Sequence, residues 1–513
     1  MQVRLPFAAS RRAYYFLAAV FLLSRIIIYA LGIRFDSTTL ATFWQFLDPK
    51  LLQERLLESL WYLHSQPPIY NLFLGIVLKI SPVHYTALFH GIYLLLGFWL
   101  ASSLYQLLRH FEFSERTAVI LASLFMLTPV SIVFENWLFY DYPLAAIFAA
   151  MALAFLKFMK NGKTRDAAFF FTLLLVVVLM RSLFHAVWVV AVTGLMFYLA
   201  RDHRRALIRG AMVPLAIISL FYSKNMIQFG SMAGSTWFGQ HLSRVTTAEI
   251  DENVRKDLVE RGVLTPAALI PAFTHLVYYN SLGLTKSKTG IPALDDERKA
   301  SDFQNFNNAE YIQISELYKK DALYVAAHYP GVLATSIVKS SFFYLRSPGE
   351  FYMLRVPNAK LGLYEKLFRG VVYGELAEYP NRVNKGQPGY QKQMLLSTPW
   401  IMLFLLPATL VFGGRRAVQA WKNRKHGFSA TDSTMLFVGF TLLFVSVIAN
   451  IFEMGENNRI RFMIDPFFML VGCVMIRDGL AYLRSHDVKA VVLARLPKPK
   501  NFQPNFSRGF RLW

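Results

Sequence analysis

Cysteine is nearly absent: the 513-residue sequence holds one, Cys473, and it lies inside an apolar run. A lone thiol excludes a disulfide framework and a thiolate metal site. Charge is scarce too, at 17% of residues, against about a quarter in an ordinary soluble domain. Acids are scarcer than bases, 32 Asp and Glu against 54 Lys and Arg, for a formal net charge of +22. A nucleic-acid protein gathers its basic residues on one polar domain. Here they fall in short segments between apolar runs, so no nucleic-acid partner is expected. Internal repeats, low-complexity tracts and lipidation motifs are missing as well. Arg4, Arg11 and Arg12 precede the first apolar run, but no small-residue cleavage site follows it, so it reads as a retained span.

What the chain has in abundance is apolar surface: 55% hydrophobic residues, 15% aromatic, and a mean hydropathy of +0.36. Several runs of roughly 18 to 22 apolar residues can each cross ~30 Å of hydrocarbon as a helix. The fold class expected is an all-α polytopic membrane protein with about ten spans. These are placed at 13–33, 86–108, 117–134, 142–160, 167–181, 186–200, 207–224, 397–413, 434–452 and 462–481. With the N-terminus inside, the basic segments Arg109 to Arg116, Lys157 to Arg165, Arg201 to Arg209, Arg415 to Lys425 and the tail from Arg484 to Arg511 all fall on the cytoplasmic side.

This divides the chain into a transmembrane module over 1–224 with a first outer loop at 34–85, an outer segment over 225–396, further spans over 397–481, and a basic cytoplasmic tail over 482–513. The apolar stretch Ile69 to Ile80, about 12 residues starting at Pro67-Pro68, is too short to cross and is expected to lie at the interface. Counting it as a span would invert every later loop. Within 225–396, helical stretches are expected at Thr247 to Glu260, Ala309 to Lys320 and Asp321 to Tyr329, and an amphipathic one at His328 to Lys339. Loops are expected at Phe342 to Pro348, Gly374 to Tyr379 and Asn384 to Gly389.

Ionisable residues at span ends are costly and so point to function. Asp36 follows the first span. Glu135 and Asp141 bracket the turn after the third, Arg181 and His185 the turn after the fifth, and Lys224 closes the seventh. The last two spans are joined by Glu453-Met-Gly-Glu456-Asn-Asn458-Arg459-Ile-Arg461-Phe-Met-Ile-Asp465-Pro. Taken singly, Asp36 also reads as a helix cap, Arg181 as a snorkelling cation and His185 as a satisfied polar residue. Together, carboxylates from two turns can supply a base and its partner, and arginines can hold a phosphate through a bidentate fork. A lipid phosphate is the anion expected at a membrane surface. Trp61, Tyr62, Trp137 and Tyr140 are of the kind that anchors at a membrane interface.

The aspartate after the first span, the outer loop ending in His64-Ser-Gln66-Pro-Pro68, the acidic second turn and the late Arg459-Ile-Arg461 with Asp465-Pro466 resemble the glycosyltransferase C superfamily, in its protein mannosyltransferase and aminoarabinose transferase branch. The resemblance covers 13–224 and Glu453 to Pro466. Where that branch has His-Pro-Pro, two residues are inserted here, and Ser37 stands in place of the second acid after Asp36. The resemblance implies inverting transfer of a sugar from a polyprenyl-phosphate donor to a hydroxyl of a glycan, lipid or protein at the outer face of a bacterial inner membrane. It implies Asp36 as catalytic base, with Asp48 as a weaker candidate, and Glu135 and Asp141 as catalytic carboxylates that position hydroxyls. His64, Gln66, Arg181, His185, Lys224, Glu456, Asn458, Arg459 and Arg461 are implied to bind substrate. No metal or cofactor is obligatory on this reading, though the carboxylates leave a divalent ion open.

Two other classes compete. A transporter or lipid-linked saccharide flippase would place charges near the midplane and repeat its halves. An outer-face polymerase, ligase or phosphate-group transferase could use the same arginines without the aspartate after the first span.

Overall fold

The structure, a computed structural model, describes residues 10–285, 288–380, 387–422 and 428–485. Arg4, the first half of the loop at 384–389, the end of the segment running to Lys425 and the basic tail beyond 485 lie outside the described residues. Among those described the fold is all-α, with isolated β-bridges at Asp36–Trp137 and Arg298–Gln304 but no strand.

Helices α1 (Arg11–Ala30), α2 (Pro68–Ile80), α3 (Tyr85–His110), α4 (Glu115–Leu127), α5 (Pro129–Glu135), α6 (Asp141–Asn161), α7 (Thr164–Val178), α8 (Ala186–Leu199) and α9 (Arg204–Phe229) build the first half. Helices α10 (Phe238–Val245), α11 (Glu310–His328) and α12 (Pro330–Leu345) belong to the outer segment. The chain then continues through α13 (Trp400–Lys422), α14 (Ala430–Phe452), α15 (Asn457–Phe462) and α16 (Asp465–Ser485). Among the described residues seven helices, α1, α3, α6, α9, α13, α14 and α16, are long and apolar enough to cross a membrane, and the α4–α5 pair makes eight if it is one span. That pair is bent by 60°. Pro129, at the first position of α5, has no N–H to give α4 and disfavours helical backbone at Thr128, whose hydroxyl instead caps α5 by accepting from Ser131 N at 3.2 Å. The other expected spans are α7, of 15 residues, and α8, of 14. At 1.5 Å per residue they reach about 21–23 Å, short of the hydrocarbon thickness.

Helix α6 is the axis of the bundle, buried along 89% of its apolar window against 22% for α1. Its run of alanines (Ala145, Ala146, Ala149, Ala150, Ala152, Ala154) lets α3, α7, α14 and α16 approach closely. Helix α1, by contrast, exposes Leu22, Leu23, Ile26 and Ile27, an apolar face that suits lipid. Asp141 stands in the first turn of this central helix, where an anion is favoured by the helix dipole.

Helix α2, at 13 residues, is too short to cross, and it buries Tyr70, Leu74 and Leu78 against the first outer loop and α3. The outer segment has its own aromatic core of Trp237, Tyr279, Phe306, Tyr311 and Tyr318. It closes over the first outer loop through hydrogen bonds from Lys299 Nζ to Phe43 O (2.6 Å), Ala300 N to Asp48 Oδ2 (2.7 Å) and Ser301 Oγ to Ala41 O (2.7 Å).

Candidate functional site

One cavity of about 430 Å³ gathers turns from several parts of the chain. Its polar lining comes from Gln45 and Gln66 of the first loop, Tyr140, Arg181 and His185 of the turns flanking α6 and α8, His241 of α10, and Glu453, Glu456 and Arg459 between α14 and α16. Its apolar lining includes Val187, Tyr222, Phe238, Ile448, Ala449 and Phe452. Two apolar lining residues, Val187 (65%) and Met232 (71%), are exposed.

Asp141 is the hub of the polar wall. Fully buried, it accepts from Arg181 Nη1 on Oδ1 and from Arg459 Nη1 on Oδ2, each at 2.8 Å. Arg459 also donates Nη2 to Glu456 Oε2 at 2.5 Å, and its guanidinium lies over the rings of Phe139 (4.7 Å) and Phe351 (5.1 Å). Burial alone would lower the basicity of Arg459, but Asp141 and Glu456 outweigh it and keep the guanidinium charged. Its Nε is buried with no hydrogen-bond partner among the described residues, so one directed N–H is still free. Arg181 lies 4.8 Å from the Tyr140 ring, and the Tyr140 hydroxyl donates to Gln45 Oε1 at 2.5 Å.

Next to this group, Glu453 is held by Arg244 Nη1 (2.6 Å), by the backbone N–H of Met454 (2.9 Å) and by His241 Nδ1 (3.2 Å). Burial opposes ionisation of Glu453, but Arg244 and the hydrogen bond from His241 win and hold it well below the usual carboxylate range.

The structure thus brings together six of the residues singled out in the sequence: Asp141, Gln66, Arg181, His185, Glu456 and Arg459. The others are engaged elsewhere. Asp36 is half-buried and outside the cavity lining; its Oδ1 accepts from Thr38 N and Oγ1 (2.9 and 2.6 Å), and its backbone bridges to Asn136 and Leu138. Asp48 caps a helix, accepting from Lys50 N at 2.9 Å.

Five residues stand otherwise than expected. Glu135 is not an open carboxylate: it makes a bidentate pair with Arg25 (2.8 and 2.7 Å) and accepts from the Tyr142 hydroxyl (2.6 Å), all inside the bundle. Arg461 is not a free cation either, because it binds Asp465, the carbonyls of Tyr344 and Arg346, and the Tyr373 hydroxyl. Lys224 donates to Trp61 O (2.8 Å), away from the cavity, and Asn458 donates to Ser347 O (2.9 Å). His64 is fully buried, bonded to Thr236 Oγ1 (2.8 Å) and Asn307 O (2.9 Å), and burial pushes its pKa down to about 4.

The sequence reading missed His241 and Arg244 because they belong to the outer segment, where neither a span end nor a motif marks them. Arg25 could have been found, since it is an arginine inside the first span. Among the described residues no group of His, Cys, Asp and Glu side chains is placed to hold a metal ion. No family model matches the chain, and no curated protein or solved structure matches it either.

Proposed function

We propose that this protein is an inverting membrane glycosyltransferase, moving a sugar from a polyprenyl-phosphate donor to an acceptor hydroxyl at the outer face of a bacterial inner membrane. One observation carries the reading: Arg181 and Arg459, joined through Asp141, line the same cavity as a set of apolar side chains, of which Val187 and Met232 are exposed. An amphiphile with an anionic head and a hydrocarbon tail has the matching chemistry. Asp141 and Glu456 balance the charge of the arginines they bind. An entering phosphate is therefore bound by redirecting N–H groups already aimed by Asp141 and Glu456, and by the free Nε–H of Arg459. Charge builds up on the phosphate oxygen as the sugar leaves, and fixed guanidinium groups stabilise it without reorganising. Gln45, Gln66 and the Tyr140 hydroxyl are the neutral groups within reach of sugar hydroxyls. The reading needs no metal.

The test is purified protein in lipid nanodiscs with a panel of polyprenyl-phosphate sugars and no ion gradient. Release of polyprenyl phosphate from at least one donor is expected. Failure to consume any of them, in the presence of glycan, lipid and peptide acceptors, would sink the proposal. Arg181→Lys keeps a charge beside Asp141 but loses the planar fork, and should lower both kcat and kcat/KM, the latter about 10-fold or more.

A further inference from the structure

We infer that the proton acceptor in this cavity is His241, oriented by Glu453. The inference rests on the glycosyl-transfer reading and names the group that reading leaves open, since Asp36 does not line the cavity. His241 and Arg244 stand three residues apart on α10 and so share one helix face. They divide the Glu453 carboxylate between them, Arg244 taking Oε1 and His241 Nδ1 reaching Oε2 at 3.2 Å. A carboxylate that accepts at Nδ1 holds the proton there, leaving Nε2 as the basic nitrogen.

Nε2 has no hydrogen bond among the described residues, and the ring lines the cavity beside Phe273, at 5.0 Å edge-to-face. The plain alternative is that the pair only docks α10 onto the end of α14. Arg244 already does this, with Nη1 on Glu453 and Nη2 on Met454 O at 2.5 Å. An imidazole added to a finished clamp, on a residue that lines the cavity and with its second nitrogen unbonded among the described residues, has the arrangement of an oriented base. The backbone beneath it is fixed, because Gly239 packs directly on the α11 backbone at Ser315.

In the step this implies, the acceptor hydroxyl gives its proton to His241 Nε2 while its oxygen bonds to the anomeric carbon. The bond from that carbon to the phosphate oxygen breaks, and its electron pair stays on the polyprenyl phosphate, which leaves as a dianion held by Arg181 and Arg459. The imidazolium then loses its proton to water. Glu453 is a positioning residue here, and His241 the catalytic one.

The experiment uses the full chain in nanodiscs, with water as acceptor and release of polyprenyl phosphate as readout. His241→Gln should lower kcat about 100-fold or more with donor KM within a few fold of wild type. His241→Ala, which opens the same space, should regain activity with added imidazole, a response that a structural role would not give. Glu453→Gln should lower kcat about 10-fold and leave donor KM unchanged. Wild-type rates in His241→Gln, or loss of transfer in Asp36→Asn while His241→Gln stays active, would overturn the inference and leave glycosyl transfer standing. A wild-type protein that consumes no donor with water or with glycan, lipid and peptide acceptors overturns both.

Discussion

The charges that matter here are buried pairs, and their energetics separate structural from functional sites. Arg25 and Glu135 meet inside the bundle, with the Tyr142 hydroxyl as a further donor. Removing one member of such a pair strands an uncompensated charge and costs about 3–5 kcal/mol, whereas replacing both by well-packed apolar residues is often neutral. Arg25→Met should therefore lower the thermal unfolding midpoint sharply, and Arg25→Met with Glu135→Leu should recover most of it. A double variant no more stable than the single would argue that the pair is more than a staple. Asp141 differs, because the arginines it joins line a cavity. The sequence showed Asp141, Arg181 and Arg459 as costly residues at span ends. It could not separate them from Glu135 or Arg461, because only packing decides whether a charge meets a partner or an open space.

Among the elements, α6 and α10 hold the site in opposite ways. Helix α6 was legible as an apolar run bounded by a Tyr-Asp-Tyr-Pro start and Gly162, whose φ of 64° ends the helix. Helix α10 carries His241 and Arg244 but is only eight residues long, too short to be stable alone. Its position comes from contact with α11. A Cβ at Gly239 would fall 1.9 Å from the carbonyl oxygen of Ser315 and 2.7 Å from the backbone N of Lys319. Backbone cannot yield as a side chain can, so Gly239→Ala should push the helices apart, costing about 1–3 kcal/mol and lowering turnover by displacing His241. Gly97→Ala makes a useful comparison: its clash is with side-chain tips, Glu135 Oε2 and the Tyr142 hydroxyl, so stability should fall while the kcat of surviving protein is kept.

Across the whole molecule, the outer segment is clamped to the first loop at His64. Its ring bonds to Thr236 and Asn307, and Asn307 also accepts from the backbone N–H groups of His64 and Ser65 through Oδ1 (3.0 and 3.1 Å). Burial holds the folded pKa of His64 at about 4 against 6.5 for the free side chain, so the unfolded state binds more protons between those values. Stability is then lost as pH falls through 6.5 toward 4, by about 2 kcal/mol between pH 7 and pH 5 from this group. Hydrogen-exchange protection factors over 62–66 should fall across that window in the wild type. His64→Gln should flatten the dependence, and an unchanged pH response in that variant would assign it to other groups.

By itself the sequence determined that the chain is an all-α membrane protein, because long apolar runs and a shortage of charge admit few other solutions for backbone polar groups in lipid. It also marked the turns at 135–141, 181–185 and 453–461, since ionisable residues there are expensive. Which of those charges form a site was decided only by the tertiary structure. Close packing along α6 brings Asp141 between arginines 40 and 318 residues away in sequence, and docking of the outer segment adds His241 and Arg244. Ion pairs and hydrogen bonds act over a few ångströms, and no spacing along the chain encodes which distant residues will come that close.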